Sequence, residues 1–227
     1  MPLDSVIQDF SLRERTQVFQ DRRDAGGELA DSLSEYASTN AVVFAIPAGG
    51  VAVAAEVCHL LKLRLEALVV RKVQFPQDPE AGFGAVGPNN ILVLNDYLLD
   101  VSRVSHVVIE EQVAKARQSL SFREEVFRHN APYPDLKKKT AILVDDGLAS
   151  GFTMLAAIQF ARSKGAKKVV VAVPTGSERA VELVLEKADE VHCLNVRSAP
   201  FYAVADAYKY WYDVSEEEAA AVLRASG

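Results

Sequence analysis

The segment Asp145-Asp146-Gly147-Leu148-Ala149-Ser150-Gly151-Phe152-Thr153 carries the densest chemistry in the sequence. Two adjacent carboxylates and two hydroxyls stand among small residues, directly after the apolar run Ala141-Ile142-Leu143-Val144. Gly147, Ala149 and Gly151 leave little side chain in the way. Backbone N–H groups can therefore converge on an anion at a helix start, where the helix dipole also favours negative charge. Ser150 and Thr153 add hydroxyl donors. Asp145 and Asp146 would repel such an anion and must face something else. A ribose diol or a hydrated magnesium ion suits them, and a sugar phosphate satisfies both halves of the segment. The plain alternative is a strand ending in an incidental acidic turn. The length of the combination, in a strand-to-helix context, weighs against it.

Several elements must position these residues. Apolar residues recur at Ala25, Leu29, Leu33 and Tyr36, which predicts an amphipathic helix over 21–36. Ala41 to Ile46 is a continuous apolar run stopped by Pro47 and Gly49-Gly50, the pattern of a strand buried on both faces. A helix over 51–61 and a second apolar run from Leu65 to Val70 follow. Between Gln74 and Asn90 prolines and glycines replace any period, so a long loop or hairpin is expected, and loops of that length are often functional lids. Ile91 to Leu94 makes a short strand, and Val101 to Arg128 a long surface helix with Glu111 four residues before Lys115. Ala141 to Val144 is a strand leading to a helix that begins near Thr153. Lys168 to Val173 is a strand broken by Pro174, then come a helix over 178–187 and a strand over 191–196. Strands alternating with helices at this spacing imply right-handed crossovers and a mainly parallel sheet covered on both faces.

The acidic segment resembles the phosphoribosyl pyrophosphate motif of type I phosphoribosyltransferases: an apolar run, two acidic residues, then a small-residue turn. The resemblance makes Asp145 and Asp146 the partners of the ribose hydroxyls. They would also hold magnesium through water and those hydroxyls. Ala149, Ser150, Gly151, Phe152 and Thr153 become the cradle of the 5′-phosphate, with Gly147 and Leu148 before them in the same substrate-binding turn. Ser150 stands where threonine is commoner and keeps the hydroxyl, whereas Phe152 is large for a variable position. The turn Ala48-Gly49-Gly50 after the first strand, a tight turn when read alone, falls where the family places a pyrophosphate-contacting loop. Its backbone would donate to pyrophosphate oxygens as an anion-binding nest. Arg71 and Lys72 occupy the position of the mobile catalytic loop, where cations stabilise the leaving group. Read alone they are equally a solvated strand end, and Arg71, with its forked guanidinium, is the better candidate.

More broadly the chain is similar to a group of phosphoribosyltransferases of unsettled acceptor. The matching residues are Asp21-Arg22, Pro47 to Val51, Val70 to Lys72, Pro79 to Val86, Val144 to Gly147 and Phe201 to Val204. The resemblance implies a single domain of α/β type I phosphoribosyltransferase fold, with a helical insertion about 95–134 and a small C-terminal hood about 197–227. It also implies transfer of ribose 5-phosphate from phosphoribosyl pyrophosphate to a nitrogen acceptor, the nitrogen of a nucleobase-like ring, with magnesium and a homodimer. A sensor that binds the same ligand and catalyses nothing is the alternative on the same fold. The aromatic residues Phe201, Tyr202, Tyr208, Tyr210, Trp211 and Tyr212 either cover a flat acceptor or seal the core.

Composition narrows the remaining classes. A chain of 227 residues, almost half of them apolar, can build one sizeable α/β core. The net charge of −6 argues against a nucleic-acid partner, and the one tight basic run, Lys137-Lys138-Lys139, suits a solvated loop. Cys58 and Cys193 are far apart and lack metal-ligand spacing, so buried free thiols are expected. No apolar stretch approaches the ~20 residues of a membrane span, and no basic-then-apolar leader opens the chain, which together imply a cytoplasmic protein. His59, His106, His129 and His192 show no zinc spacing. A kinase-like or hydrolytic use of the phosphate turn lacks the Gly-x-x-x-x-Gly-Lys-Ser/Thr loop.

Overall fold

The computed structural model describes residues 3–199 and 201–226, apart from the side chains of Pro79 and Glu80. The first two positions of the expected Pro79 to Val86 pattern therefore lie outside the described side chains. The chain runs α1 (Arg22–Ser32), β1 (Val42–Ala45), α2 (Gly50–Leu61), β2 (Arg64–Ala67), β3 (Arg71–Phe75), β4 (Asp78–Gly87) and β5 (Ile91–Leu94). It continues with α3 (Asp96–Ser102), α4 (His106–Arg128), β6 (Thr140–Val144), α5 (Phe152–Ser163) and β7 (Lys168–Ser177). The last elements are α6 (Glu178–Leu185), β8 (Glu190–Arg197) and α7 (Glu216–Ala225).

Five strands form a parallel sheet in the order β2-β1-β6-β7-β8. Alternate residues of these strands feed two cores. Phe44, Leu143, Val171 and Cys193 pack on one face with Met154, Ile158 and Val184 from α5 and α6. Val43, Ile142, Val170 and Ala172 pack on the other with Leu29, Val53, Val57 and Ala219 from α1, α2 and α7. This is the expected mainly parallel α/β sheet with helices on both faces. The chain leaves β1 toward β2 and leaves β6 toward β7. The adjacent carboxyl ends of β1 and β6 therefore form the switch point at which such sheets build ligand sites.

Three features have physical causes. Of the two forms expected for the stretch after Gln74, loop or hairpin, the hairpin is found: β3 and β4 pair antiparallel, with bulges between Val73 and Phe75, and the expected short strand at Ile91–Leu94 joins them as β5. Val73, Phe83 and Val86 give this sheet an apolar face packed on Val113 and Ala116 of α4, a period that the glycines between them conceal. Pro174 does not end β7. The ladder pairs Val173 with Cys193 and resumes at Thr175 with Asn195, stepping over the residue that has no N–H to donate. At the C-terminus α7 docks against α2 and α4, with Glu216 held by Arg123 at 2.7 Å. Of the expected hood, only the segment before α7 borders the switch point. No helix among the described residues is long and apolar enough to cross a membrane. Cys58 and Cys193 are buried free thiols.

Candidate active site

The two sequence turns meet at the switch point. Ile46 N–H donates to the Val144 carbonyl at 2.9 Å and ties the end of β1 to the end of β6. The Pro47–Ala48 peptide is cis. Beyond it the backbones interlock so closely that only glycine fits. A Cβ on Gly49 would lie 1.9 Å from Asp146 Oδ2, and one on Gly50 would lie 2.8 Å from Asp145 Cα. The glycine pair is thus the surface against which the acidic pair is seated, so Ala48, Gly49 and Gly50 border the same space as Asp145 and Asp146.

β7 pins the turn that follows. Leu148 N–H donates to the Thr175 carbonyl at 2.9 Å, Ser177 N–H returns to the Leu148 carbonyl at 2.9 Å, and Ser177 Oγ donates to the Ala149 carbonyl at 2.8 Å. Gly147 lies beneath Val204, whose Cγ1 would be 2.6 Å from a Cβ there. Gly151 then takes φ +81°, a left-handed conformation that costs glycine little, and α5 begins. No side chain caps this helix, and the first N–H groups of any helix lack partners within it. Ala149 and Ser150 are exposed, while Phe152 and Thr153 are half-buried. Ala149, Ser150 and Phe152 line a cavity of ≈ 570 Å³ whose far wall includes Asn95 and Leu98 of the insertion and Arg179 of α6. An anion could reach the helix start from there.

Burial holds both carboxyls above the usual carboxylate range. For Asp145 the neighbouring Asp146 adds to the rise, and for Asp146 the Arg22 guanidinium opposes it. Asp145 Oδ1 also accepts the Asp146 N–H at 2.9 Å. Among the described residues no group of three or more His, Cys, Asp or Glu side chains could hold a metal ion. Two carboxylates are too few to cage magnesium alone. They do fit an ion that keeps waters and shares ligand oxygens, which is how magnesium is usually bound.

Arg22 received no role from sequence reasoning, although Asp21-Arg22 belongs to the matching pattern. Asp21 caps α1 by accepting the N–H groups of Arg23 and Asp24, which sets Arg22 in the first turn. Gly26 lets α1 approach α2 so closely that a Cβ would meet the Val53 carbonyl at 2.7 Å. The Arg22 side chain reaches the switch point with only 6 % of its residue surface exposed. Nε donates to Asp146 Oδ2 at 2.9 Å, and Nη1 donates to the Tyr212 carbonyl at 2.9 Å. The guanidinium lies 3.9 Å from the Trp211 ring centre. The Tyr208 hydroxyl donates to the Asp146 carbonyl at 2.7 Å. The aromatic segment therefore divides. Tyr208 and Trp211 build the site wall and core, while Phe201, Tyr210 and Tyr212 are exposed. An arginine one residue past a helix cap was the available signal, but its 124-residue separation from Asp146 hid the pairing.

Arg71 is the first residue of β3. It shares the strand face of Val73, which packs toward α4, and its charge interacts with Arg123 and Glu216. Burial together with Arg123 lowers its pKa. Lys72, on the opposite strand face, lays its aliphatic stem across Gly82, where a Cβ would meet Lys72 Cγ at 2.4 Å. The cation that the fold brings to the aspartates is Arg22.

A family model described as "Phosphoribosyl transferase domain" matches residues 15–210. The chain is 41 % identical over 210 residues to the candidate phosphoribosyl transferases MT0597 and Rv0571c of two Mycobacterium tuberculosis strains, covering 91 % of this chain and 46 % of each relative. It thus spans about half the length of those curated relatives. The crystal structure of TT1426 from Thermus thermophilus superposes with a TM-score of 0.73 at 39 % identity, covering 90 % of this chain and 97 % of that one. With the sheet order, the acidic turn and the matched span in agreement, the chain belongs to the phosphoribosyl transferase family.

Proposed function

We propose that the protein transfers ribose 5-phosphate from phosphoribosyl pyrophosphate to a nitrogen acceptor and releases pyrophosphate. The observation that carries this reading is the convergence of two anion-suited turns on one pair of half-buried carboxylates at the switch point. Asp145 and Asp146 bind the ribose hydroxyls. Ala149 to Thr153 receive the 5′-phosphate with backbone N–H groups and two hydroxyls. Ala48, Gly49 and Gly50 lie against pyrophosphate. Magnesium, when bound, neutralises charge developing on the departing pyrophosphate. Little covalent chemistry is asked of the chain. Its residues orient the sugar and exclude water that would otherwise hydrolyse it. Arg71 and Lys72, at the start of β3, supply cations for the departing pyrophosphate, and Lys72 lies on the strand face that carries Gly82. A cytoplasmic homodimer belongs to the same reading. The exposed apolar residues Tyr97, Val101 and Val107 offer a face for a second copy, and both thiols are free.

Titration calorimetry with phosphoribosyl pyrophosphate and magnesium tests the reading. Binding is expected in the wild type and lost in the double variant Asp145→Asn, Asp146→Asn, with the circular dichroism spectrum retained. Unchanged affinity in that variant would refute the site. Binding without pyrophosphate release, with purine, pyrimidine and nicotinate-type acceptors supplied, would favour the sensor.

A further inference from the structure

We propose that the cavity between the carboxyl ends of β7 and β8 is the acceptor subsite, and that Arg197 and Arg179 select a planar heteroaromatic acceptor bearing a carboxylate. This inference rests on the transferase reading above and names its missing substrate class. The cavity has a volume of ≈ 370 Å³ and is lined by Ala149, Ser177, Glu178, Arg179, Arg197 and Tyr202, with Ser198 and Ala199 at its edge. Small-molecule pockets span roughly 300–1,000 Å³, and this one, at the low end, has room for a single ring system. It shares Ala149 and Arg179 with the larger cavity beside the phosphate turn. The Tyr202 hydroxyl donates to Thr175 Oγ1 at 3.3 Å, and Thr175 Cγ2 would lie 3.1 Å from a Cβ on Gly147. The subsite thus adjoins the acidic turn on the side away from Gly49.

Its charge is poorly compensated from within. Arg197 is 7 % exposed, and its buried Nε has no hydrogen-bond partner among the described residues. Its Nη1 reaches Asp206 Oδ2 only at 3.4 Å, and that aspartate side chain is 47 % exposed. A buried cation held so loosely is costly, and a carboxylate that fits the planar guanidinium fork offsets the cost. Glu178, the one carboxylate on the described wall, faces Arg13 at 3.9 Å. Ser177 Oγ is spent on the Ala149 carbonyl, and Ser198 N–H on the Glu14 carboxylate. The arginines are therefore the polar groups left to read a ligand. Tyr202 lies 5.8 Å from the Arg197 guanidinium and offers an aromatic wall for a flat ring. In the transfer, the lone pair of the acceptor ring nitrogen forms the bond to ribose C1 while the bond from C1 to pyrophosphate oxygen breaks. The electron pair leaves with pyrophosphate, and an N–H acceptor passes its proton to solvent.

Calorimetry of the full chain with phosphoribosyl pyrophosphate and magnesium, then with pyridine-3-carboxylate and a pyrimidine carboxylate against their amides, tests the proposal. The carboxylates are expected to bind at least tenfold more tightly than the amides, a ~1.4 kcal/mol difference. Arg197→Met should erase that preference and Arg197→Lys should keep part of it, since lysine retains charge without the fork. Arg179→Met, at an exposed position, provides a second variant should Arg197→Met fail to fold, and it should weaken the same preference. Equal binding of carboxylate and amide, equal competition by inorganic phosphate, or a preference that survives both methionine variants would overturn the subsite while leaving the transferase reading intact. Absence of phosphoribosyl pyrophosphate binding to the wild type would overturn both.

Discussion

Replacing Gly49 by alanine drives a methyl group into the space of the Asp146 carboxylate. The new Cβ would lie 1.9 Å from Oδ2, and ordinary contact begins at 3.4 Å, so the carboxylate or the turn must retreat by about 1.5 Å. That same oxygen accepts the Arg22 Nε at 2.9 Å, and a retreat of this size breaks the bond. Removing one side of a buried ion pair costs about 3–5 kcal/mol when the partner charge is stranded. The backbone can yield in part, so a loss near the lower figure is expected in urea unfolding. On the ligand side, a misplaced carboxylate forfeits a charge-assisted hydrogen bond of roughly 1.5–3 kcal/mol, which corresponds to about 10–100-fold weaker binding of phosphoribosyl pyrophosphate. Gly27→Ala is the control. It lies in α1 with nothing within 4 Å of its Cβ, and alanine there should stabilise by roughly 0.5–1 kcal/mol. A Gly49→Ala protein that unfolds at the wild-type urea concentration and binds ligand with wild-type affinity would refute the interlocked-turn argument.

Tyr208→Phe removes the donor to the Asp146 carbonyl and should cost about 1 kcal/mol in urea unfolding; no change would mean that the carbonyl finds another donor. Burial holds His192 below its ordinary value of 6.5 although Glu190 lies 2.7 Å away and Ser32 3.2 Å away. The unfolded chain therefore takes up a proton first as pH falls below about 6.5, and stability drops with it. The urea midpoint should fall between pH 7.5 and 5.5, and His192→Gln should flatten that fall; an equal slope in both proteins would assign the acid sensitivity to other groups.

What could be read in advance followed from locality. The strands at Ala41 to Ile46 and Ala141 to Val144 announced themselves as uninterrupted apolar runs, because both faces of a parallel strand are covered. The acidic turn was legible because its carboxylates, small residues and hydroxyls are consecutive. For β3 and β4 the choice between loop and hairpin stayed open, because bulges and glycines break the two-residue period on which a strand reading depends. Arg22 and Arg197 escaped notice for another reason: an arginine looks like a surface residue until the elements that bury it are assembled. For Arg71 a strand end fixes a position in sequence, while the direction of its side chain depends on which sheet the strand joins.

The contact between Arg22 and the Tyr212 carbonyl joins residues 190 positions apart, and one guanidinium also holds Asp146. This arrangement sets a schedule for synthesis. The acidic turn leaves the ribosome well before the aromatic segment that completes its surroundings, so the nascent chain carries the two aspartates before the backbone that helps hold their arginine partner. The Arg22 contact closes only once residue 212 has cleared the exit tunnel and α1 can meet the backbone before α7.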